Sequence, residues 1–127
     1  MYLFDLIILI DDDPINNLIN KRLISKLAIS PDVIEFSEAE KALEYIKTSD
    51  SRGNLILLDI NMPVMNGWDF LDCYAKLKNR IDESIIMLSS SIDHQDQQRS
   101  RGFSFVQDFI EKPLTREKLA KALKKEL

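Results

Sequence analysis

Apolar and polar positions along the chain fall into blocks, and the blocks change period. Phe4 to Ile10 is apolar almost throughout, as a strand covered on both faces of a parallel sheet is. Ile15, Leu18, Ile19, Leu23 and Leu27 then recur at helical spacing, until Ile29-Ser30-Pro31-Asp32 breaks the pattern. Val33 to Phe36 predicts a short second strand. Ala39, Ala42, Leu43 and Ile46 predict the buried stripe of a second helix, with Ser37 and Glu40 in capping-box spacing before it. Ser49 to Gly53 is a polar loop, and Asn54 to Leu58 reads as strand three.

The second half repeats the alternation. Gly67 opens a third helix with Phe70, Leu71, Tyr74 and Leu77 on one face, and Asn79 to Glu83 is a polar connection. Strand four, Ser84 to Leu88, runs into Ser89-Ser90-Ser91. Asp93 to Arg101 is almost wholly polar, so a helix there has little to hold it down and is expected to be the least stable. Gly102 to Val106 reads as a linker and Asp108 to Glu111 as a short fifth strand. Thr115 caps a last helix with Leu119, Ala122, Leu123 and Leu127 inward. Its Lys124 and Lys125 suit the negative end of the helix dipole. Five β-α units in succession predict a parallel sheet with helices on both faces.

Composition narrows the class. With 127 residues, 45% of them hydrophobic, the chain is expected to fold as one domain with a sizeable core. A net charge of -4 and dispersed basic residues, apart from the Lys-rich end, argue against a nucleic-acid surface. The single cysteine, Cys73, excludes an internal disulfide and suits a reducing compartment. Met1 to Ile10 lacks a basic n-region and a cleavage site and is too short to span a bilayer, so a cytoplasmic protein is expected.

The chemistry gathers where apolar runs end. Leu55 to Leu58 stops at Asp59, and Pro63 and Gly67 keep the strand from continuing. Ile7 to Ile10 stops at Asp11-Asp12-Asp13; Asp13 is placed to cap the next helix, with Pro14 at its first position. Open α/β sheets bind ligands at the carboxyl ends of their strands. Neighbouring strands built this way bring at least three carboxylates together, where they repel one another unless a cation is present. The pattern therefore predicts a divalent-metal site with Asp59 as its reactive carboxylate. Ser89 and Lys112 fall at two further strand ends.

Asp11 and Asp12, Asp59 in Asp59-Ile60-Asn61-Met62-Pro63-Val64-Met65-Asn66-Gly67, Ser89, and Lys112-Pro113 occur in that order and spacing. In these residues the chain resembles the receiver domain of two-component response regulators, over essentially its whole length. The resemblance implies a doubly wound, flavodoxin-like three-layer (βα)5 fold with a five-stranded sheet of order 2-1-3-4-5, as one receiver domain over 1–127 without an output domain. It implies phosphoryl transfer to Asp59 from a phosphohistidine on a sensor histidine kinase or histidine phosphotransfer protein. Mg²⁺ or Mn²⁺ would be held by Asp12, Asp59 and the backbone carbonyl of Asn61, with Asp11 holding metal-bound water. Lys112 would pair with the phosphoryl oxygens, and Lys112-Pro113 is expected to be cis. Ser89 and Phe109 would be the switch pair, and the surface of helix four, strand five and helix five would bind an unidentified downstream protein. Asn61 and Ser91 occupy the positions that tune acyl-phosphate hydrolysis. Neither is an acid or base, so slow to moderate autodephosphorylation is expected, in a signalling domain rather than a turnover enzyme. The kinase would dock beside Ile15, Asn16 and Ile19. No direct nucleic-acid binding and no membrane insertion are expected.

Two other readings share parts of the pattern. Asp11-x-Asp13 has the nucleophile spacing of haloacid-dehalogenase-type phosphatases, with Asp11 attacking, but a late paired-acid motif and a cap insertion are missing. A flavodoxin-like cofactor binder would need a Gly/Ser/Thr-rich loop after strand one, where this chain has three carboxylates. Trp68 and Tyr74 read as packing residues, Cys73 as a small buried hydrophobe, and His94 as a solvated side chain without metal-ligand neighbours.

Overall fold

Every β1 residue, Leu6–Ile10, is buried, and so is every β3 residue, Asn54–Asp59. That is why their sequences show no polar face. The computed structural model describes residues 2–50, 53–77, 83–91 and 93–127. The remaining strands are β2 (Asp32–Phe36), β4 (Ser84–Ser89) and β5 (Val106–Glu111). The five form one sheet in the order β2-β1-β3-β4-β5, all parallel. This is the doubly wound order that the family resemblance implies.

The helices are α1 (Pro14–Leu27), α2 (Ala39–Thr48), α3 (Gly67–Ala75), α4 (His94–Ser100) and α5 (Arg116–Leu123). Alternate strand residues feed two separate cores. Ile8, Ile10, Ile56, Leu58 and Met87 pack with α2 and α3. Ile7, Leu9, Leu55, Leu57, Ile86 and Leu88 pack with Ile24 of α1 and with Leu119, Ala122 and Leu123 of α5. Fully burying one such aliphatic side chain stabilises the fold by roughly 1.5–3 kcal/mol, so these two layers dominate its energetics.

Local signals were mostly followed. Asp13 accepts the Ile15 amide at 2.9 Å and caps α1, with Pro14 opening the helix. Thr115 accepts the Lys118 amide at 3.1 Å and caps α5. The Ser37–Glu40 capping box does not form: the N-cap falls on Glu38, and no side chain bonds there. The box sits instead at α3, where Asn66 and Asp69 exchange side-chain and backbone hydrogen bonds. α3 ends at Ala75, before Leu77, which is half-buried. Most of the Asn79–Glu83 connection, and residues 51–52 of the loop before β3, lie outside the described residues. β1 starts at Leu6 rather than Phe4, because the Leu3 and Phe4 amides bond to the Ile29 carbonyl instead. β5 starts at Val106, earlier than expected, and the linker residues Phe103 and Phe105 join an aromatic cluster with Trp68 and Tyr74.

α1 turns the start of its apolar stripe outward, in keeping with the expected docking surface at Ile15 and Ile19. Its periodicity is helical, but Ile15, Leu18 and Ile19 face solvent, while Asn17, Asn20 and Ile24 face inward. The Asn17 amide group is the cause. It donates to the Asp11 carbonyl at 2.9 Å and the Phe36 carbonyl at 3.3 Å, two strand-end acceptors that apolar side chains would leave unpaired. α4 is short, and Ser100 is its only buried residue, as its polar sequence led us to expect.

Candidate functional site

Register brings the acidic groups level. Ile10 lies opposite Leu58, so Asp11 and Asp59 leave adjacent strands side by side. Asp11 and Asp59 are both buried, and Asp12 is exposed at the mouth. One carboxylate oxygen from each of Asp11, Asp12 and Asp59 lies within 4.8 Å of the others. From the next strands, Asp59 lies opposite Leu88, which puts Ser89 one residue beyond it, and Ser89 lies opposite Glu111, which precedes Lys112.

Lys112 reaches back into the acidic group. Its ammonium lies 2.9 Å from Asp59 Oδ1 and donates to Asp11 Oδ2 at 3.0 Å. Its own amide donates to the Ser89 carbonyl at 2.7 Å, which fixes the base of the side chain. The Lys112-Pro113 bond is cis, as expected. Asp11 also accepts the Asp13 amide at 2.9 Å.

Charge in this pocket is unbalanced. Burial pushes the Asp59 carboxyl above its ordinary range; the Lys112 hydrogen bond and charge pull it down, Asp11 and Asp12 push it up, and the net direction is up. Burial pulls the Lys112 ammonium down, but hydrogen bonds to Asp59 and Asp11 outweigh that, and its pKa is raised. One ammonium, paired with Asp11 and Asp59, thus stands in a cluster of three carboxylates. Hard oxygen donors with surplus negative charge are the set that a divalent cation such as Mg²⁺ takes, so the residues present fit a metal.

The other candidate residues are placed around this cluster. Ser89 is buried, and its hydroxyl donates to the Ser91 carbonyl at 2.7 Å, along the loop and not toward Asp59. Ser91 and Asn61 are exposed. Phe109 is half-buried against the core on the α2–α3 side. Gly67 explains why the loop after Asp59 can turn so tightly. A side chain there would meet the Ile60 Cα at 2.8 Å and the Asp59 carbonyl oxygen at 2.9 Å. Its amide donates to the Ile60 carbonyl at 2.8 Å.

Two residues tied to the site escaped the sequence reading. Asn17 buttresses the Asp11 backbone, as described; its phase opposite the apolar stripe of α1 was the available signal. Arg99 of α4 lies over the Trp68 ring, 4.6 Å from its centroid, and no local pattern announces that pair. Trp68 and Tyr74 are packing residues, Cys73 is half-buried, and His94 is exposed. No helix among the described residues is long and apolar enough to cross a membrane.

A parallel sheet of this order with an acidic cluster and a lysine at its carboxyl edge defines a narrow class. The chain belongs to the response regulator receiver domain family, which it matches over residues 7–124. It is a receiver domain of two-component systems. It is 30% identical to two-component response regulator 24 of Arabidopsis thaliana, over 93% of this chain and 81% of that protein. It is 37% identical to the nitrate/nitrite response regulator protein NarL of Escherichia coli, over 71% of this chain but only 39% of NarL. Among solved structures, a two-component response regulator from Cytophaga hutchinsonii superposes with a TM-score of 0.85 at 28% identity, covering 95% of each chain. The phosphatase reading finds no support in these relatives. Asp13, the second acid it requires, is used as the α1 cap.

Proposed function

We propose that Asp59 is the phosphoacceptor of this receiver. A carboxylate oxygen of Asp59 attacks the phosphorus of a partner's phosphohistidine, the P–N bond breaks, and the imidazole leaves with its electron pair. The product is an acyl phosphate on Asp59. The observation that supports this best is the Lys112 ammonium held 2.9 Å from Asp59 and 3.0 Å from Asp11. A cation fixed there is ready to follow negative charge as it arrives on the phosphoryl oxygens.

Asp12, Asp59 and the Asn61 carbonyl would hold Mg²⁺ or Mn²⁺, with Asp11 acting through metal-bound water. Bound there, the cation supplies charge neutralisation for the carboxylates and the incoming phosphoryl group. Asp59 keeps the group it receives, so the domain signals rather than turns over substrate. Neither Asn61 nor Ser91 can act as acid or base on water, which suits a slow to moderate loss of the phosphoryl group.

The signal leaves through a shift between two populations. Ser89 gives up its Ser91 partner for the phosphoryl group, Phe109 turns inward behind it, and the face of α4, β5 and α5 changes for a downstream protein. The donor is a sensor histidine kinase or histidine phosphotransfer protein in the cytoplasm, docking at Ile15, Asn16 and Ile19.

Incubation with Mg²⁺ and acetyl phosphate, read by intact mass, tests the proposal. One phosphoryl group should appear on the wild type and none on Asp59→Asn. Labelling of Asp11 instead would refute it. Ile15→Asp or Ile19→Asp should slow transfer from the donor protein relative to transfer from acetyl phosphate.

A further inference from the structure

Lys118 sits where a cation is least expected. It is the third residue of α5, and the first turn of a helix favours acids. Its amide is fixed by the Thr115 hydroxyl at 3.1 Å, and its half-buried side chain folds back past the start of the helix. There the ammonium donates to the Glu111 carbonyl at 2.8 Å and to the Pro113 carbonyl at 3.1 Å. These two carbonyls flank Lys112 on either side along the chain. An ammonium has three donors and no acceptor, so one lysine can hold both. Lys118 forms no salt bridge among the described residues, so its charge serves the backbone on either side of Lys112.

The Glu111–Lys112 peptide is trans, so its N–H and its C=O point in opposite directions. The N–H donates inward to the Ser89 carbonyl at 2.7 Å, and β5 is an edge strand of the sheet. The C=O therefore points off the edge, where no further strand can take it, and Lys118 meets it there. One peptide plane is gripped at both ends, and its tilt sets where the Lys112 side chain points. The bond to Pro113 ties the same loop from the other side of Lys112. The ammonium of an extended lysine lies about 6 Å from its Cα, so a tilt of about 10° displaces it by about 1 Å. A displacement of that size can lower a rate roughly a hundredfold. The Lys112 ammonium has little such latitude, since it meets Asp59 at 2.9 Å and Asp11 at 3.0 Å.

We propose that Lys118 is a positioning residue for Lys112: by holding the carbonyls of Glu111 and Pro113, it aims the Lys112 ammonium at the phosphoryl group. This rests on Asp59 as phosphoacceptor with Lys112 serving the phosphoryl oxygens. It adds a residue outside the pocket on which that geometry depends. Lys118 acts only through the Glu111–Pro113 backbone, so its loss should slow the transfer step and loosen that one loop.

Lys118→Met keeps an unbranched apolar stem and removes the donors. With Mg²⁺ and acetyl phosphate it should label Asp59 about tenfold more slowly than the wild type. Lys118→Arg, whose guanidinium also offers several N–H groups, should recover most of the rate. Lys121→Met removes the same charge from an exposed position of the same helix and should stay within about twofold of the wild type. An equal loss in Lys121→Met would mean that positive charge simply attracts the anionic donor, and would overturn the proposal. Hydrogen exchange at the Lys112 amide is a readout that needs no phosphorylation. It should be about tenfold faster in Lys118→Met, with wild-type protection kept across β1 and β3. Faster exchange throughout the sheet would make Lys118 a general stabiliser and overturn the positioning role. If acetyl phosphate fails to label wild-type Asp59, the phosphoacceptor reading falls, and this proposal with it. If labelling succeeds and Lys118→Met matches the wild type in both rate and Lys112 exchange, only the positioning role is overturned.

Discussion

Arg99 lies with its guanidinium 4.6 Å from the centre of the Trp68 ring, joining α4 to the first turn of α3. Trp68 is 6% exposed, and its neighbour Gly67 touches the backbone of Asp59 and Ile60. Ser100 is the only buried α4 residue, and this cation–π contact adds to the packing of α4 on β5.

Removing it should loosen α4 alone. Arg99→Ala should cost about 0.5–1 kcal/mol locally. Amide exchange over residues 94–100 should quicken several-fold while β1 and β3 keep wild-type protection, since local opening is separable from global unfolding. Uniform acceleration across the sheet would show that the contact supports the whole fold instead.

Asp59→Asn should stabilise the metal-free protein. The Asp59 carboxyl has a folded pKa raised first by burial and then by Asp11 and Asp12, against the pull of Lys112. With more protons bound in the folded state, stability falls as pH rises from the unfolded value of 3.8 through the raised folded value, and stays low above it. In EDTA at neutral pH the variant should therefore melt a few degrees higher, since about 1 kcal/mol moves a domain of this size by roughly 4 °C. Lys112 keeps Asp11 as partner in the variant. Mg²⁺ should raise the melting temperature of the wild type more than that of the variant. A variant that melts lower in EDTA at pH 7 would mean that the Lys112 pairing outweighs burial.

The sheet and most of the acidic site were readable from the chain because they depend on short-range rules. An apolar run that ends in Asp11, Asp59 or Ser89 states both a strand and what projects from its end. Parallel order then follows from the β-α alternation. What was not readable depended on contacts between distant residues. Periodicity placed Ile15, Leu18 and Ile19 on one face but could not say which way the face turned. That was decided by Asn17 reaching Phe36, a strand away. The α2 cap falls on Glu38, one residue beyond Ser37, although β2 ends at Phe36 as expected. Arg99 and Trp68 meet only once α3 and α4 are in place.

Val64 marks strain in the loop after Asp59. It holds φ 66° with a β-branched side chain and is 94% exposed, so no contact compensates the conformation. The left-handed region costs an ordinary L-residue about 1–2 kcal/mol, and Asn tolerates it better. Val64→Asn should raise stability by up to about 1 kcal/mol, seen as an increased urea midpoint with unchanged slope. A lower midpoint would mean that Val64 is held there by packing that its exposure does not reveal.

In the switch proposed for this domain, Ser89 starts from a bonded state. Its hydroxyl donates to the Ser91 carbonyl at 2.7 Å and accepts the Ser91 amide at 3.3 Å, so the loop after β4 is closed on itself. A hydrogen bond of this kind contributes about 1 kcal/mol net. Phosphorylation of Asp59 must exceed that to redirect the hydroxyl, and a doubly charged acceptor can, since charge-assisted bonds are about twice as strong as neutral ones. Ser89→Ala removes both the lock and the group proposed to follow the phosphate. The variant should still take a phosphoryl group on Asp59 from acetyl phosphate, because Lys112 and the carboxylates are intact. Under the proposed switch, phosphorylation should change amide exchange in α4 of the wild type, and Ser89→Ala should lose that change. Exchange over 94–100 that still responds in Ser89→Ala would assign the coupling to another route, with the Arg99–Trp68 contact the first place to look.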